Sequence, residues 1–194
     1  LVTGSHRSAT TFVGRMLTLE RNLGYIHEPF NIEWGIRGID REFLYLDDSI
    51  SQRYQRTLDD FFLGKSKFKP GTTVYPKLHY KYWAKRFWGS GSYIEYRKCF
   101  LSNNRMLVKD PIACFSSEFL VKKYRMKCVC MMRHPAAFVA SLVSLGWDPD
   151  ISVVFCQDEL VEEFGFEELR SMANGTTIER AACFWLMIYR ALVV

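Results

Sequence analysis

At 194 residues and 22.7 kDa, with 48% apolar residues and a mean hydropathy of −0.09, the chain has material for one domain with a substantial core and too little for two. That composition excludes a disordered or fibrous chain. The formal net charge of +5 is concentrated in residues 64–94, where seven basic side chains (Lys65, Lys67, Lys69, Lys77, Lys81, Lys85, Arg86) meet no acid, so the excess marks a local basic surface rather than a basic protein.

Leu1 to Thr3 read as a strand, Gly4 as a sharp turn, and Phe12, Val13, Met16 and Leu17 recur at helical spacing, so a helix is predicted from about Thr10. The first amides of such a helix lack partners and lie at the positive end of its dipole, so the loop Ser5-His6-Arg7-Ser8-Ala9-Thr10-Thr11 can hold an anion, with Arg7 adding a full charge. The spacing from Gly4 to Thr11 equals that of the nucleotide-phosphate loop G-x-x-x-x-G-K-[ST], but Ala9 replaces the second glycine and Thr10 the lysine. Losing that lysine disfavours an ordinary NTPase and suits a shorter, differently charged anion.

Asn22-Leu23-Gly24 is a helix stop, and Tyr25-Ile26-His27 a second strand ending at Glu28-Pro29, which completes a βαβ unit. Residues 40–63 are expected to form one or two helices and 64–94 a loop-rich stretch whose basic residues alternate with aromatics. Such a surface can stack on sugar rings or on bases, so a nucleic-acid or nucleotide-phosphate-binding protein is the competing class. Arg105 to Val108 is a third strand, closed by Lys109-Asp110-Pro111, and Phe115 to Tyr124 a helix with Ser116 or Ser117 as its cap. Lys127 to Met132 reads as a fourth strand covered on both faces, with Cys128 and Cys130 as core thiols.

A helix follows Arg133-His134, with Pro135 at its first position, and runs through Leu145. Acidic residues 158–168 predict a solvated helix. The last helix opens on a Thr176/Glu179 capping box and should bury Ile178, Ala181, Ala182, Trp185, Ile188 and Leu192, and with Arg190 inside it is too short to span a bilayer. The six cysteines lack zinc-site spacing, so no metal is expected and a reducing, cytoplasmic setting is favoured, with a Golgi or membrane-anchored setting left open. The chain opens in a strand and closes in an apolar helix, so residues 1–194 are expected to be a single domain incomplete at both ends.

Alternating strands and helices predict an α/β fold with a mainly parallel sheet, whose ligands bind beyond the carboxyl ends of the strands. Arg7, Glu28, Lys109 and Arg133 follow the four predicted strands and should share that rim. Three segments, Gly4 to Thr11, Val108-Lys109-Asp110-Pro111, and Arg133-His134-Pro135 through Ser141-Leu142, resemble the sulfotransferases that use 3′-phosphoadenosine 5′-phosphosulfate (PAPS). His27-Glu28-Pro29-Phe30 is similar to the Glu-Pro segment of the carbohydrate-type and bacterial branch.

The resemblance implies a P-loop-containing three-layer α/β/α fold that moves a sulfuryl group from PAPS to a hydroxyl of a carbohydrate or other small alcohol, with no metal and no nucleic-acid partner. It implies that Ser5 to Thr11 hold the 5′-phosphosulfate and that Arg133 and Ser141 hold the 3′-phosphate. Arg7 and Lys109 then stabilise charge, and Glu28 is the base, with His27, Asp110 and His134 as alternatives. As a base Glu28 requires desolvation to raise its pKa. Two departures stand out: Pro111 replaces the histidine of the cytosolic branch, and the glycine-rich C-terminal segment that helps hold the adenine is absent.

Overall fold

A computed structural model describes residues 1–20, 22–69 and 91–193 of the protein. Among these residues four strands, β1 (Val2–Gly4), β2 (Leu23–His27), β3 (Arg105–Lys109) and β4 (Val129–Met131), form an all-parallel sheet in the order β2-β3-β1-β4. Helix α1 (Thr10–Leu17) connects β1 to β2, and α2 (Ser51–Phe62) and α3 (Gly91–Leu101) precede β3. After β3 come a 3-10 turn (Ile112–Ser116) and α4 (Ser117–Tyr124); after β4 come α5 (Pro135–Ser144), α6 (Ser152–Phe155), α7 (Asp158–Phe164), a second 3-10 stretch (Phe166–Asn174) and α8 (Thr177–Leu192).

Strand residues alternate between faces, and in β1, β2 and β3 both faces are packed. Val2, Tyr25 and Leu107 meet Val13 of α1, while Leu1, Ile26 and Val108 join Phe30, Tyr54, Leu58, Phe61, Tyr96 and Leu120. Helix α1 lies so close that a Cβ on Gly14 would come within 2.9 Å of the Tyr25 ring. A third core gathers Phe43, Phe138, Leu142, Phe184 and Ile188 under α5 and α8. The parallel order brings the carboxyl ends of all four strands to one edge.

Several elements differ from the sequence reading. The first helix stops at Leu17, and Leu23 and Gly24 belong to β2; Gly24 lies where a Cβ would come 2.5 Å from the Cys99 sulfur, so packing against α3 sets that residue. Only Ser51–Phe62 of residues 40–63 is helical. Neither Ser116 nor Ser117 caps α4, because their hydroxyls are taken by the carbonyls of Leu44 and Cys114.

Strand β4 is shorter than predicted. Cys128 and Cys130 are exposed instead of core thiols, since β4 pairs with β1 alone among the described residues and is not covered on both faces. On α8 the capping box is present, but Ile178 and Ala182 are exposed, and the buried stripe instead takes in Cys183, Phe184 and Met187. The acidic helix also buries Leu160 and Val161. Most of the basic aromatic stretch 64–94 lies outside the described residues. No described helix is long and apolar enough to cross a membrane.

Candidate active site at the carboxyl edge of the sheet

The loop after β1 is shaped by backbone that side chains rarely tolerate. Gly4 has φ +130, and a Cβ there would lie 2.1 Å from the Met131 carbonyl, so only glycine lets β1 turn this close to β4. Arg7 (φ 63) and Ala9 (φ 66) are left-handed. The second position is the one where the phosphate-loop pattern carries glycine, and alanine bears the cost there, about 1–2 kcal/mol. Ala9 is also the N-cap of α1 and offers no side-chain bond, so the first amides of the helix are left to the cleft. Ser8 Oγ donates to the Ser5 carbonyl at 2.5 Å, closing the loop on itself.

Two arginines converge on this loop from opposite ends of the sequence. Arg133 donates to the Arg7 carbonyl at 2.7 Å, and Arg7 Nε donates to Ser141 Oγ at 3.2 Å. Among the described residues neither guanidinium has a carboxylate within ion-pair distance. Two cations without a carboxylate partner among the described residues, beside helix amides that no side chain caps, are groups that could hold an anion. A cavity of about 670 Å³ opens beside them, lined by Arg7, Thr10, Thr11, Arg15, Glu28 and Lys109 among others.

On its far wall Lys109, at the end of β3 and only 3% exposed, pairs with Glu28 at 2.6 Å. Glu28 has φ 45, a conformation its neighbours must enforce: Phe30 N–H donates at 2.7 Å to the buried Asp110 carboxylate, which fixes the turn after β2. Burial pushes the Glu28 carboxyl up, but the Lys109 ammonium outweighs it and the net shift is downward. The raised pKa that a base requires is therefore absent while the pair is intact.

His27 lies 3.7 Å from Glu28, stacks on Tyr25, and is shifted down by burial. Asp110 is fully buried and pushed up to about 7 by desolvation; its two oxygens take the amides of Phe30 and Ile112, so it braces loops and faces no acceptor. His134 is the exposed N-cap of α5.

Two expected ligands are turned elsewhere. Ser5 is buried, with its hydroxyl 2.9 Å from the Tyr189 phenol. The His6 imidazole packs between Phe43 and Trp147, and burial lowers its pKa to about 4.

Two residues that the sequence reading did not place in the site frame it from α8, Trp185 having been expected only on the helix's buried face. Tyr189 donates to the Met131 carbonyl at 2.8 Å and touches Ser5, while Trp185 Nε1 donates to the Arg133 carbonyl at 2.8 Å. Together they clamp the end of β4 to the loop after β1. The signal was an aromatic pair with polar tips spaced four apart on an apolar helix face. Arg15, 3.9 Å above the Tyr25 ring, is a third such residue.

Among the described residues no group of three or more His, Cys, Asp or Glu side chains could hold a metal ion. No family model matches the chain, and neither a curated protein nor a solved structure matches it.

Proposed function

We propose that the chain is a P-loop-type sulfotransferase with a three-layer α/β/α fold, transferring a sulfuryl group from PAPS to a hydroxyl of a carbohydrate or other small alcohol. The observation that carries this reading is the convergence of Arg7, Arg133 and Ser141 beside the open start of α1, with no carboxylate partner for either arginine among the described residues. Two guanidinium groups gathered with a serine suit a ligand of more than one negative charge.

When bound, PAPS supplies a sulfuryl group on a phosphate leaving group. Arg133 and Ser141 hold the 3′-phosphate, and the residues from His6 to Thr11 hold the 5′ side, chiefly through backbone amides, since the Ser5 amide is taken by the Tyr189 phenol. In the transfer a bond forms from the acceptor oxygen to sulfur and the bond from sulfur to the bridging oxygen breaks. Glu28 takes the hydroxyl proton, and Lys109 offsets the charge on the departing phosphate.

The Glu28–Lys109 pair explains how one carboxylate serves at neutral pH. While Lys109 holds it, Glu28 is a weak base. Once Lys109 turns to another anion, desolvation is opposed only by the smaller effects of His27 and His6, and the Glu28 pKa rises. Charge on the loop thereby prepares the base.

Thermal denaturation with adenosine 3′,5′-bisphosphate against ADP tests the reading. The bisphosphate should stabilise more, by about 2.7 kcal/mol at a hundredfold excess over Kd. Equal shifts with the two ligands would overturn it.

A further inference from the structure

Behind the loop lies a second cavity, of about 210 Å³, that the transfer reading does not use. It shares a wall with the larger cleft, because His6 and Trp147 line both. Its other walls are aromatic and aliphatic: Phe43 and Phe184 meet edge to face at 4.9 Å, with Phe138 and Leu142 behind them. Its charged residues are all acidic: Glu42, Asp148 and Asp150. Asp148 is spent on Arg180, whose Nε donates to it at 3.0 Å, and Asp150 accepts the amide and hydroxyl of Ser152. Glu42 is partly buried and has no hydrogen bond or ion pair among the described residues.

An unpaired carboxylate beside aromatic faces is costly unless something cationic meets it. The surroundings raise that cost: burial and the nearby Asp150 and Glu33 all disfavour ionised Glu42. An anionic ligand is repelled here, and a neutral one leaves Glu42 uncompensated. An ammonium group satisfies both features, since it pairs with the carboxylate and is attracted to the half-exposed Trp147 ring. The wall itself does not oppose a cation, because the His6 imidazole is neutral at physiological pH.

We propose that this cavity is a binding site for the ammonium group of a small amine. The site does not depend on the sulfotransferase reading.

The test uses the full chain and two probes of the same shape, choline and its uncharged isostere 3,3-dimethylbutan-1-ol, followed by the part of the tryptophan fluorescence that Trp147→Phe removes. Choline should bind about tenfold more tightly than the isostere, and Glu42→Gln should cut that preference to about threefold or less while the fold, checked by circular dichroism, is unchanged. Equal binding of the two probes overturns the proposal, as does no saturable binding of either, or a preference that survives Glu42→Gln. Bisphosphate stabilisation is scored separately. If it occurs without charge discrimination in the cavity, the subsite falls alone; if discrimination occurs without it, the transfer reading falls and the ammonium site stands.

Discussion

Two cavities of opposite character meet at the rings of His6 and Trp147. The cleft over the sheet edge carries Arg7, Arg15 and Lys109 against one carboxylate, Glu28, whereas the cavity behind the loop is lined by three carboxylates and no lysine or arginine. Burial lowers the His6 pKa to about 4, so the shared wall adds no charge of its own to either side. One short loop thus presents opposite chemistry on its two sides.

The largest effect on this contrast should come from Glu28→Gln. It removes the base, so turnover should fall by about 10²–10⁴-fold with bisphosphate affinity nearly unchanged. It also leaves the buried Lys109 ammonium without its partner, and calorimetry should show a loss of about 3–5 kcal/mol. The choline preference of the acidic cavity should not change, and if it falls as well the two regions are not independent.

Next is Arg133→Ala, which should weaken adenosine 3′,5′-bisphosphate by roughly 1.5–3 kcal/mol in titration calorimetry and leave ADP nearly unaffected. Equal loss for both would mean that Arg133 acts through its bond to the Arg7 carbonyl, as a support for the loop.

A smaller effect concerns the wall. The folded His6 pKa, about 4, lies below its ordinary 6.5, so the unfolded chain binds the proton first as pH falls. Stability contributed by neutral His6 is full above about 6.5, declines down to about 4, and is constant below. Melting temperatures of His6→Phe should lose that part of the acid slope between the two values, and an identical slope in both proteins would place the titration elsewhere.

Smallest is Ala9→Gly. Relief of the left-handed strain, partly offset by the added chain entropy of glycine, should raise stability by about 0.5 kcal/mol. The melting temperature should rise slightly with no change in the choline preference.

Local features were legible because they depend on near neighbours in the chain. The start of α1 at Thr10, proline at the head of α5 and the Thr176/Glu179 box could be read from spacing alone. The shared rim of Arg7, Glu28, Lys109 and Arg133 followed from the parallel sheet, since parallel strands end on one edge. Spacing misled where an element's environment decided burial: Cys128 and Cys130 lie in an apolar run, yet residues 127–130 are exposed on both faces of the sheet.

By itself, then, the sequence determined which segments turn, which wind and which polar residues reach the edge, because φ preferences, caps and periodicity act within a few residues. Tertiary structure alone decided that Lys109 holds Glu28 across 81 residues, that Tyr189 reaches back 184 residues to Ser5, and that the His6 ring turns from the anion loop to a wall of Phe43 and Trp147. Those pairings depend on which elements become neighbours, and so does the pKa of each group. Burial and partner charge are properties of the packed molecule, and no local pattern encodes them.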